Sequence, residues 1–211
     1  MGVKERRERE KSETRDKILD AARELFITEG YEGVSMRRVA DMIEYSPTAI
    51  YVHFTDKLEL FRELCMQDYS RLAEVFQSSA MPIDPIKRLI QIGRTYMEFG
   101  MNFPNHYKFM FMMPHPPIEP DEEQCEQRGN PELDAYAFLK WAVQQAIDAK
   151  RLREQLHDAE LVSQTLWAAV HGVISLNIAK CSDAWVDWRP LQDRAELMLD
   201  VTIRGLLREA K

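Results

Sequence analysis

Thr48, Ala49 and Lys57 are the residues whose types and positions most directly indicate a binding chemistry. Thr48 and Ala49 are small, and they lie at the front of a predicted short helix, about 47–52, which turns Ile50 inward. Small side chains at this place let a helix approach the base edges in the major groove of DNA. Lys57 opens the next predicted helix, where free N–H groups and a cation suit a phosphate oxygen. The pattern therefore indicates non-covalent recognition of DNA.

Two short helices around a tight turn must position these residues. The first has an inward apolar face at helical spacing, made by Val39, Ala40 and Ile43. Ser35 precedes this helix as an N-cap, and residues 44–45 form the turn. Ser46 is the second N-cap, and Pro47 takes the first helical position, where its missing N–H costs nothing.

A third helix, predicted for residues 14–28, completes a DNA-reading module of three helices. Its apolar stripe consists of Ile18, Ala21, Ala22, Leu25 and Phe26. Gly30 ends it as a C-cap, and Tyr31 and Val34 are expected beneath the two short helices. Residues 1–13 alternate Arg or Lys with Glu. This extension is either a frayed, solvated helix or a basic arm that touches phosphates or the minor groove.

At these residues the chain resembles the TetR family of bacterial repressors. The resemblance covers residues 14–64, and its signature is a serine, a few small residues, Tyr-x-x-Phe and a following lysine. Here the signature is carried by Ser46, Pro47, Thr48, Ala49, Tyr51, Phe54 and Lys57. Glu44 departs from the family pattern, which usually has glycine in the turn. A positive φ at Glu44 costs about 1 kcal/mol, and its carboxylate would lie near DNA phosphates.

The resemblance implies a role for each matched residue at the DNA. Thr48 and Ala49 face base edges, and Arg37 reaches a guanine or a phosphate. The phosphate contacts are assigned to Ser35, Tyr51, His53 and Lys57. The implied DNA-binding set is Ser35, Arg37, Ser46, Pro47, Thr48, Ala49, Tyr51, His53 and Lys57. Packing between helices is the competing interpretation for two aromatic residues; it is accepted for Phe54 and not for Tyr51.

Charge and composition restrict the remaining functions. The formal net charge is −7, and residues 1–60 hold 11 Lys and Arg against 13 Asp and Glu, so DNA binding depends on where the cations lie. The three cysteines lack a CxxC pair, which disfavours a disulfide framework or structural zinc. No HExxH, G-x-S-x-G or Gly-rich phosphate loop occurs, so an enzyme, a metal and a cofactor are not expected. The chain is expected to be cytoplasmic, with no membrane association.

The rest of the chain shows helical periodicity and no alternation typical of strands. We therefore predict an all-α fold with an N-terminal helix-turn-helix domain and a helical domain for ligand binding and dimerisation. The predicted division is an extension at 1–13, a DNA-binding domain at 14–60 and a second domain at 61–211. Helices are expected at about 56–79, 84–101, 106–113, 131–152, 159–180 and 190–209. Residues 114–130 hold four prolines and an acidic run, and are expected to form a loop.

Two segments resemble one C-terminal subfamily of these repressors, residues 105–111 and the Trp-x-x-x-His-Gly motif at 167–172. The resemblance implies a helical ligand receiver that also forms a homodimer. Ala168, Ala169 and Gly172 allow a second helix to come close, so two helices from each chain can build a four-helix bundle. A dimer also suits DNA, because two recognition helices must enter successive major grooves.

A cluster rich in methionine and aromatic residues is the candidate site for a small apolar or amphipathic effector. Its members are Met97, Met101, Phe103, His106, Tyr107, Met110, Met113, Phe138, Trp141, Trp167 and His171. His106 and His171 would supply the polar anchors. A plain hydrophobic core is the alternative for any single member. The alternative function is a thiol-based redox regulator, in which Cys125 in the predicted loop would be the reactive thiol.

Overall fold

Helices form nearly all of the regular structure in the computed structural model, which describes residues 2–119 and 122–208. In chain order they are α1 (Val3–Gly33), α2 (Met36–Met42), α3 (Pro47–Tyr51), α4 (Lys57–Ser78), α5 (Pro85–Asn102), α6 (Pro104–Phe111), α7 (Glu122–Gln127), α8 (Ala135–Asp148), α9 (Ala159–Lys180) and α10 (Leu191–Leu206). Within these described ranges there is no strand, only an isolated bridge between Leu152 and Leu207. The predicted all-α fold is confirmed.

The helices divide into two compact units. Unit 1 holds the chain up to Asp68 together with Asn105–Glu119, and unit 2 holds Tyr69–Pro104 and the described residues after 121. The division predicted at residue 60 falls inside α4, which contributes its first half to unit 1 and its second half to unit 2. The segment that contains most of α6 also belongs to unit 1.

Local capping signals fix the three-helix module of unit 1. The Oγ of Ser35 accepts a hydrogen bond from the N–H of Arg38, and that of Ser46 accepts from Ala49, both at 3.2 Å. Gly30 has φ of 72°, which interrupts α1 where the sequence predicts its end. Buried apolar residues from α1, α2, α3 and α4 form one core, including Ile18, Phe26, Val39, Ile50, Leu60 and Phe61.

Helix α1 includes the charged extension as well as the helix predicted for residues 14–28. It is continuous from Val3, so residues 3–13 form the helical extension that was one of the two alternatives for residues 1–13. Ion pairs one turn apart, Arg6 with Glu10 and Arg9 with Glu13, connect successive turns of the extension. Residues 4–13 are exposed, so the extension is a solvated helix that projects from the module.

A buried ionic cluster joins α1, α4 and α6 inside unit 1. The guanidinium of Arg23 donates to both carboxylate oxygens of Asp68, at 3.0 and 2.9 Å. The Nδ1–H of His106 donates to the same carboxylate at 2.7 Å. Asp68 is 1% exposed and Arg23 is 4% exposed, while Asp20 at the protein surface also accepts from Arg23. This cluster fixes the start of α6 against α1.

Glu44, in the turn between α2 and α3, has φ of 59°. This left-handed conformation favours glycine, because the Cβ of other residues meets the backbone. The strain expected from the sequence at this turn is therefore present. Lys150, after α8, is the other non-glycine residue with positive φ in the described chain, at 54°.

We expect Glu44→Gly to raise the free energy of unfolding by up to about 1 kcal/mol, because glycine removes the left-handed strain. Removal of the carboxylate should also strengthen DNA binding. Lys150→Gly is the matched control, since it relieves the same strain far from α3 and should leave DNA binding unchanged. Urea unfolding and duplex titration measure the two effects. A loss of stability in Glu44→Gly would contradict this account.

In unit 2, α5, α8, α9 and α10 pack against one another. Three of these helices begin with an aspartate whose side chain accepts hydrogen bonds from the first turn, namely Asp84, Asp134 and Asp158. Gly93 of α5 allows a close approach, since a Cβ there would lie 2.7 Å from Leu199 of α10. Local capping residues therefore define where three of the four core helices of unit 2 begin.

Three predicted boundaries in the second half of the chain were wrong. The loop expected at 114–130 contains α7, because its four prolines all precede a Glu- and Gln-rich run. Helix α8 spans only Ala135–Asp148, since Asp134 caps it and Lys150 leaves helical geometry. Helix α6 begins two residues early, at Pro104. The predicted end of the last helix, residue 209, lies outside the described residues.

Helix α9 is apolar on two faces. Val162, Leu166, Val170 and Ile174 are buried in the core of unit 2, whereas Leu161 and Leu176 are exposed. By length and composition α9 is the single described helix that could cross a membrane, but a core helix of a soluble protein passes the same test. Asp158 caps the first turn of α9, and the helix packs against α5, α8 and α10.

Candidate DNA-binding surface and effector site

Helix α3 presents small and polar side chains to solvent from a buried anchor. Ile50 is fully buried, while Thr48 is exposed and Ala49 is half-buried. Ser46 and Pro47 begin the helix as the sequence predicts. Tyr51 is 53% exposed and Phe54 is 1% exposed, so Phe54 packs in the core as expected. The exposed side chains of α3 form the candidate surface for contact with base edges.

Val52 is a residue of this surface that the sequence analysis missed. It is 70% exposed at the end of α3, one helical turn after Thr48. An apolar side chain on this face can contact the methyl group of thymine. The signal that could have identified it is the four-residue spacing from Thr48, which places both side chains on one side of the helix.

Arg37 and Arg38 lie side by side on α2 but differ in their partners. Arg38 forms an ion pair with Glu29 at 3.0 Å, and this hydrogen-bonded contact raises the pKa of its guanidinium. Within the described part of the chain, no residue forms an ion pair with Arg37, which is exposed. The structure therefore leaves Arg37, rather than Arg38, available for the predicted contact with a base or phosphate.

Lys57 already has a partner within the protein. Its Nζ donates to the carbonyl oxygen of Tyr31 at 2.8 Å and lies 4.1 Å from the centre of the Tyr31 ring. It therefore satisfies a carbonyl near the end of α1 and holds α4 beside it. The phosphate contact predicted for Lys57 would share the ammonium group with this intramolecular contact.

We expect Lys57→Ala to flatten the dependence of log Kd on log salt by about one unit per protomer, as for one lost phosphate contact. It should also lower the free energy of unfolding by about 1 kcal/mol, because the Tyr31 carbonyl loses its donor. A duplex that the protein selects from a random library serves as probe. Reduced stability with an unchanged salt slope would limit Lys57 to its contact with Tyr31.

His53 lies between α3 and α4 in a cationic environment. Burial is the main cause that lowers the pKa of its imidazole, and the nearby charges of Lys11 and Arg15 lower it further. Arg15 donates to the His53 carbonyl at 3.2 Å and covers the Phe54 ring at 4.3 Å. The free protein therefore holds His53 neutral near pH 7.

We expect DNA affinity to rise as pH falls from about 7.5 to 6, because a phosphate beside His53 favours the imidazolium and raises its pKa on binding. Each unit of that rise contributes up to about tenfold per protomer. His53→Gln should flatten the pH dependence, whereas His157→Gln, at an exposed histidine of unit 2, should not. Identical pH profiles for His53→Gln and the wild type would contradict the contact.

The predicted effector cluster is distributed over both units. In unit 2 the Nε1–H of Trp167 donates to the hydroxyl of Tyr96 at 3.0 Å, and that hydroxyl lies 3.4 Å from Nδ1 of His171. Burial lowers the pKa of His171. The Tyr136 ring lies 5.8 Å from Trp167. Trp167, Tyr96 and His171 thus form a hydrogen-bonding group, whereas the hydroxyl of Tyr136 donates to Glu160. The effector cluster predicted from the sequence did not include Tyr96 or Tyr136.

The other cluster members in unit 2 make separate contacts. The rings of Phe138 and Trp141 are 5.6 Å apart, and Met97 is buried. The amide of Asn177 lies 3.3 Å from the sulfur of Met101. Phe103 lies beneath the guanidinium of Arg71 at 4.2 Å.

Four members of the predicted cluster belong to unit 1. Tyr107 and Met110 are buried, and Met113 packs on the core that contains α1 and α4. His106 is bonded to Asp68, the arrangement of a core histidine. The effector role assigned to these four residues stays a prediction.

The cysteines differ in accessibility. Burial raises the pKa of the Cys65 thiol to about 12, which suppresses its thiolate. Cys125 in α7 is exposed. Cys181 is exposed as well, donates to the side chain of Asn177 and lies 3.5 Å from Arg194. In residues 2–119 and 122–208, no three histidine, cysteine or acidic side chains are grouped to hold a metal ion.

Two known transcriptional regulators are similar in sequence to part of this chain. A 72-residue segment, 34% of the chain and 38% of the relative, is 40% identical to the HTH-type transcriptional repressor AcnR of Corynebacterium diphtheriae. An 89-residue segment, 41% of the chain and 45% of the relative, is 30% identical to the HTH-type transcriptional regulator UidR of Escherichia coli. These matches span less than half of either relative.

A similar fold over at least 90% of the chain is found in solved structures. A bacterial regulatory protein in the tetR family from Rhodococcus RHA1 has a TM-score of 0.70 at 14% identity, covering 93% of this chain and 98% of that one. The fatty acid degradation regulator FadR of Bacillus halodurans has a TM-score of 0.67 at 14% identity, covering 90% and 94%. At this identity the likeness concerns the fold alone.

Two family patterns match the sequence itself. Residues 18–64 match the pattern of bacterial regulatory proteins of the tetR family, and residues 89–202 match that of a tetracyclin repressor-like C-terminal domain. The second match alone spans more than half of the chain. The narrower subfamily expected from the motif at 167–172 stays a prediction. The chain belongs to the tetR family of bacterial regulatory proteins, and its helix-turn-helix module is the DNA-binding region of that family.

Proposed function

We propose that this protein is a dimeric repressor that binds a palindromic operator and is released by a small apolar or amphipathic effector. The observation that carries the proposal is the face of α3, where exposed Thr48 and half-buried Ala49 stand over the fully buried Ile50. A helix with this face can enter a major groove without steric hindrance. The repressor function named for the AcnR relative supports the same assignment.

The surface of unit 2 supports the dimer. On α9 the residues at four- and three-residue spacing that face away from the core are Leu161, Thr165, Ala168, Gly172 and Leu176. A Cβ added at Gly172 would meet no atom within 4 Å, so this face is open in the single chain. On neighbouring α10, Leu197 and Val201 are 64% and 60% exposed. A second copy that covers both helices would bury this apolar surface in a four-helix bundle.

The group around Tyr96 supports the effector. Its hydroxyl, the Trp167 indole and the His171 imidazole place hydrogen-bonding groups among apolar helices. Pockets for small apolar ligands commonly combine an apolar wall with a few such anchors. Because the pKa of His171 is lowered, its ring is neutral near pH 7 and suits an uncharged polar group on the effector.

Release follows from a shift of population. The dimer binds the operator only when the spacing of its two helix-turn-helix modules matches that of the two half-sites. An effector that prefers a conformation with another spacing lowers the fraction of dimer that can bind DNA. A differential effector affinity of about 3 kcal/mol would lower operator affinity by about two decades. Helix α4 contributes residues to both units, and we propose its tilt as the variable that the effector changes.

Selection of bound duplexes from a random library tests the proposal. The expected result is one recovered sequence with two inverted half-sites, about 10 base pairs or a multiple of that apart. Recovery of unrelated sequences would contradict operator recognition. A screen of apolar and amphipathic compounds for release of the recovered duplex then tests the effector, and a screen in which no compound releases it would contradict that part.

A redox regulator without an effector is the second candidate. Cys125, the thiol predicted to react, is exposed, which this function requires. Release of the recovered duplex by peroxide, abolished by Cys125→Ser but retained by Cys65→Ser, would favour it. Peroxide-insensitive binding by the wild type would exclude it.

A further inference from the structure

The exposed helical extension, residues 4–13, divides its charges between two sides. On one side Arg6 is paired with Glu10 at 3.1 Å and Arg9 with Glu13 at 3.5 Å. These pairs neutralise that side of the helix. The remaining cations of the extension lie elsewhere on its circumference.

Lys4, Arg7 and Lys11 lie three and four residues apart, and Arg15 follows after four more. This spacing places them on one face of α1, with Glu8 at its border. In the part of the chain that the structure describes, no ion pair involves Lys4, Arg7 or Lys11. We call these three residues the basic stripe.

The basic stripe begins beside the predicted phosphate contacts. Arg15, the next residue of the same face, donates to the His53 carbonyl and covers the Phe54 ring at the end of α3. Lys11 is close enough to His53 to lower the pKa of its imidazole. From Lys11 the stripe continues for about 10 Å to Lys4, at 1.5 Å per helical residue.

We propose that the basic stripe is a second DNA contact, in which α1 binds the phosphate backbone beyond the base pairs that α3 reads. This inference rests on the proposed function. Cations in a straight line on a rigid helix complement a phosphate strand, and they add affinity that is independent of sequence. The contact lengthens the bound duplex on both outer sides of the operator.

The test uses two triple variants of equal charge on the duplex recovered by selection. Lys4→Gln/Arg7→Gln/Lys11→Gln removes the stripe, and Arg6→Gln/Arg9→Gln/Lys17→Gln removes three cations from the other side of the same helix. Glutamine keeps the helix propensity of lysine and arginine. Each lost phosphate contact flattens the salt dependence by about 0.9, so the stripe variant of a dimer should lose up to about five units of slope.

The two variants should differ, with the control close to the wild type. Shortening the duplex flanks should weaken the wild type and the control, and leave the stripe variant nearly unchanged. Equal loss in both variants, or no loss in either, overturns the inference. If the wild type recovers no common duplex, the proposed function fails instead, so the two failures are distinguishable.

Discussion

Asp68→Ala is expected to lower the free energy of unfolding by about 3 kcal/mol, the low end of the range for breaking a buried ion pair. The substitution leaves the guanidinium of Arg23, which is 4% exposed, without the carboxylate that accepts two of its hydrogen bonds. Exposed Asp20 retains part of the compensation. His106 loses its acceptor as well. Urea unfolding at fixed protein concentration measures the change.

Two controls separate burial from the mere loss of a charge. Glu63→Ala breaks a half-exposed pair with Arg15 and should cost less than about 1 kcal/mol. The double variant Arg23→Met/Asp68→Leu replaces the ion pair by apolar side chains and should recover most of the stability. A loss below about 1 kcal/mol for Asp68→Ala would show that solvent reaches the cluster.

Leu197→Glu/Val201→Glu is expected to separate the proposed dimer into folded monomers and to weaken operator binding at least about 100-fold. Both residues are more than half exposed, so the carboxylates are tolerated in a single chain but must be desolvated in a dimer. A monomer contacts only one half-site, and a single module binds weakly. Sedimentation equilibrium and duplex titration measure the two effects.

Ile83→Glu/Leu133→Glu is the matched control for the dimer variant. It introduces the same charge at exposed apolar residues of unit 2 that lie outside α9 and α10. Its assembly and DNA affinity should equal those of the wild type. A dimer that persists in Leu197→Glu/Val201→Glu would assign the interface to another surface.

Helix starts and the burial pattern within a short helix could be predicted from the sequence, because local signals determine them. Ser35, Ser46 and Asp158 each precede a helix in the sequence and cap it in the structure. The burial of Ile50 and the exposure of Thr48 likewise follow from helical periodicity within a few residues. These features depend on neighbours along the chain, so one sequence suffices to find them.

Features that depend on distant residues were not accessible. Nothing near Lys57 indicates that its ammonium binds the carbonyl of Tyr31. His106 was considered for the effector site because its neighbours are apolar, yet its partner Asp68 lies 38 residues earlier. The sequence left two alternatives for residues 1–13, because alternating charges carry no apolar stripe and the helix there is supported by ion pairs one turn apart.

The two apolar faces of α9 have a consequence for the protein during its synthesis. One face packs in the core of its own chain, and the other is exposed in the single chain and would be covered by a second chain in the proposed dimer. A nascent chain with an exposed apolar helix face is prone to aggregation. Translation of several chains from one messenger RNA would place partner chains close to it. Formation of the proposed dimer during synthesis would therefore protect the nascent chain from aggregation before it binds DNA.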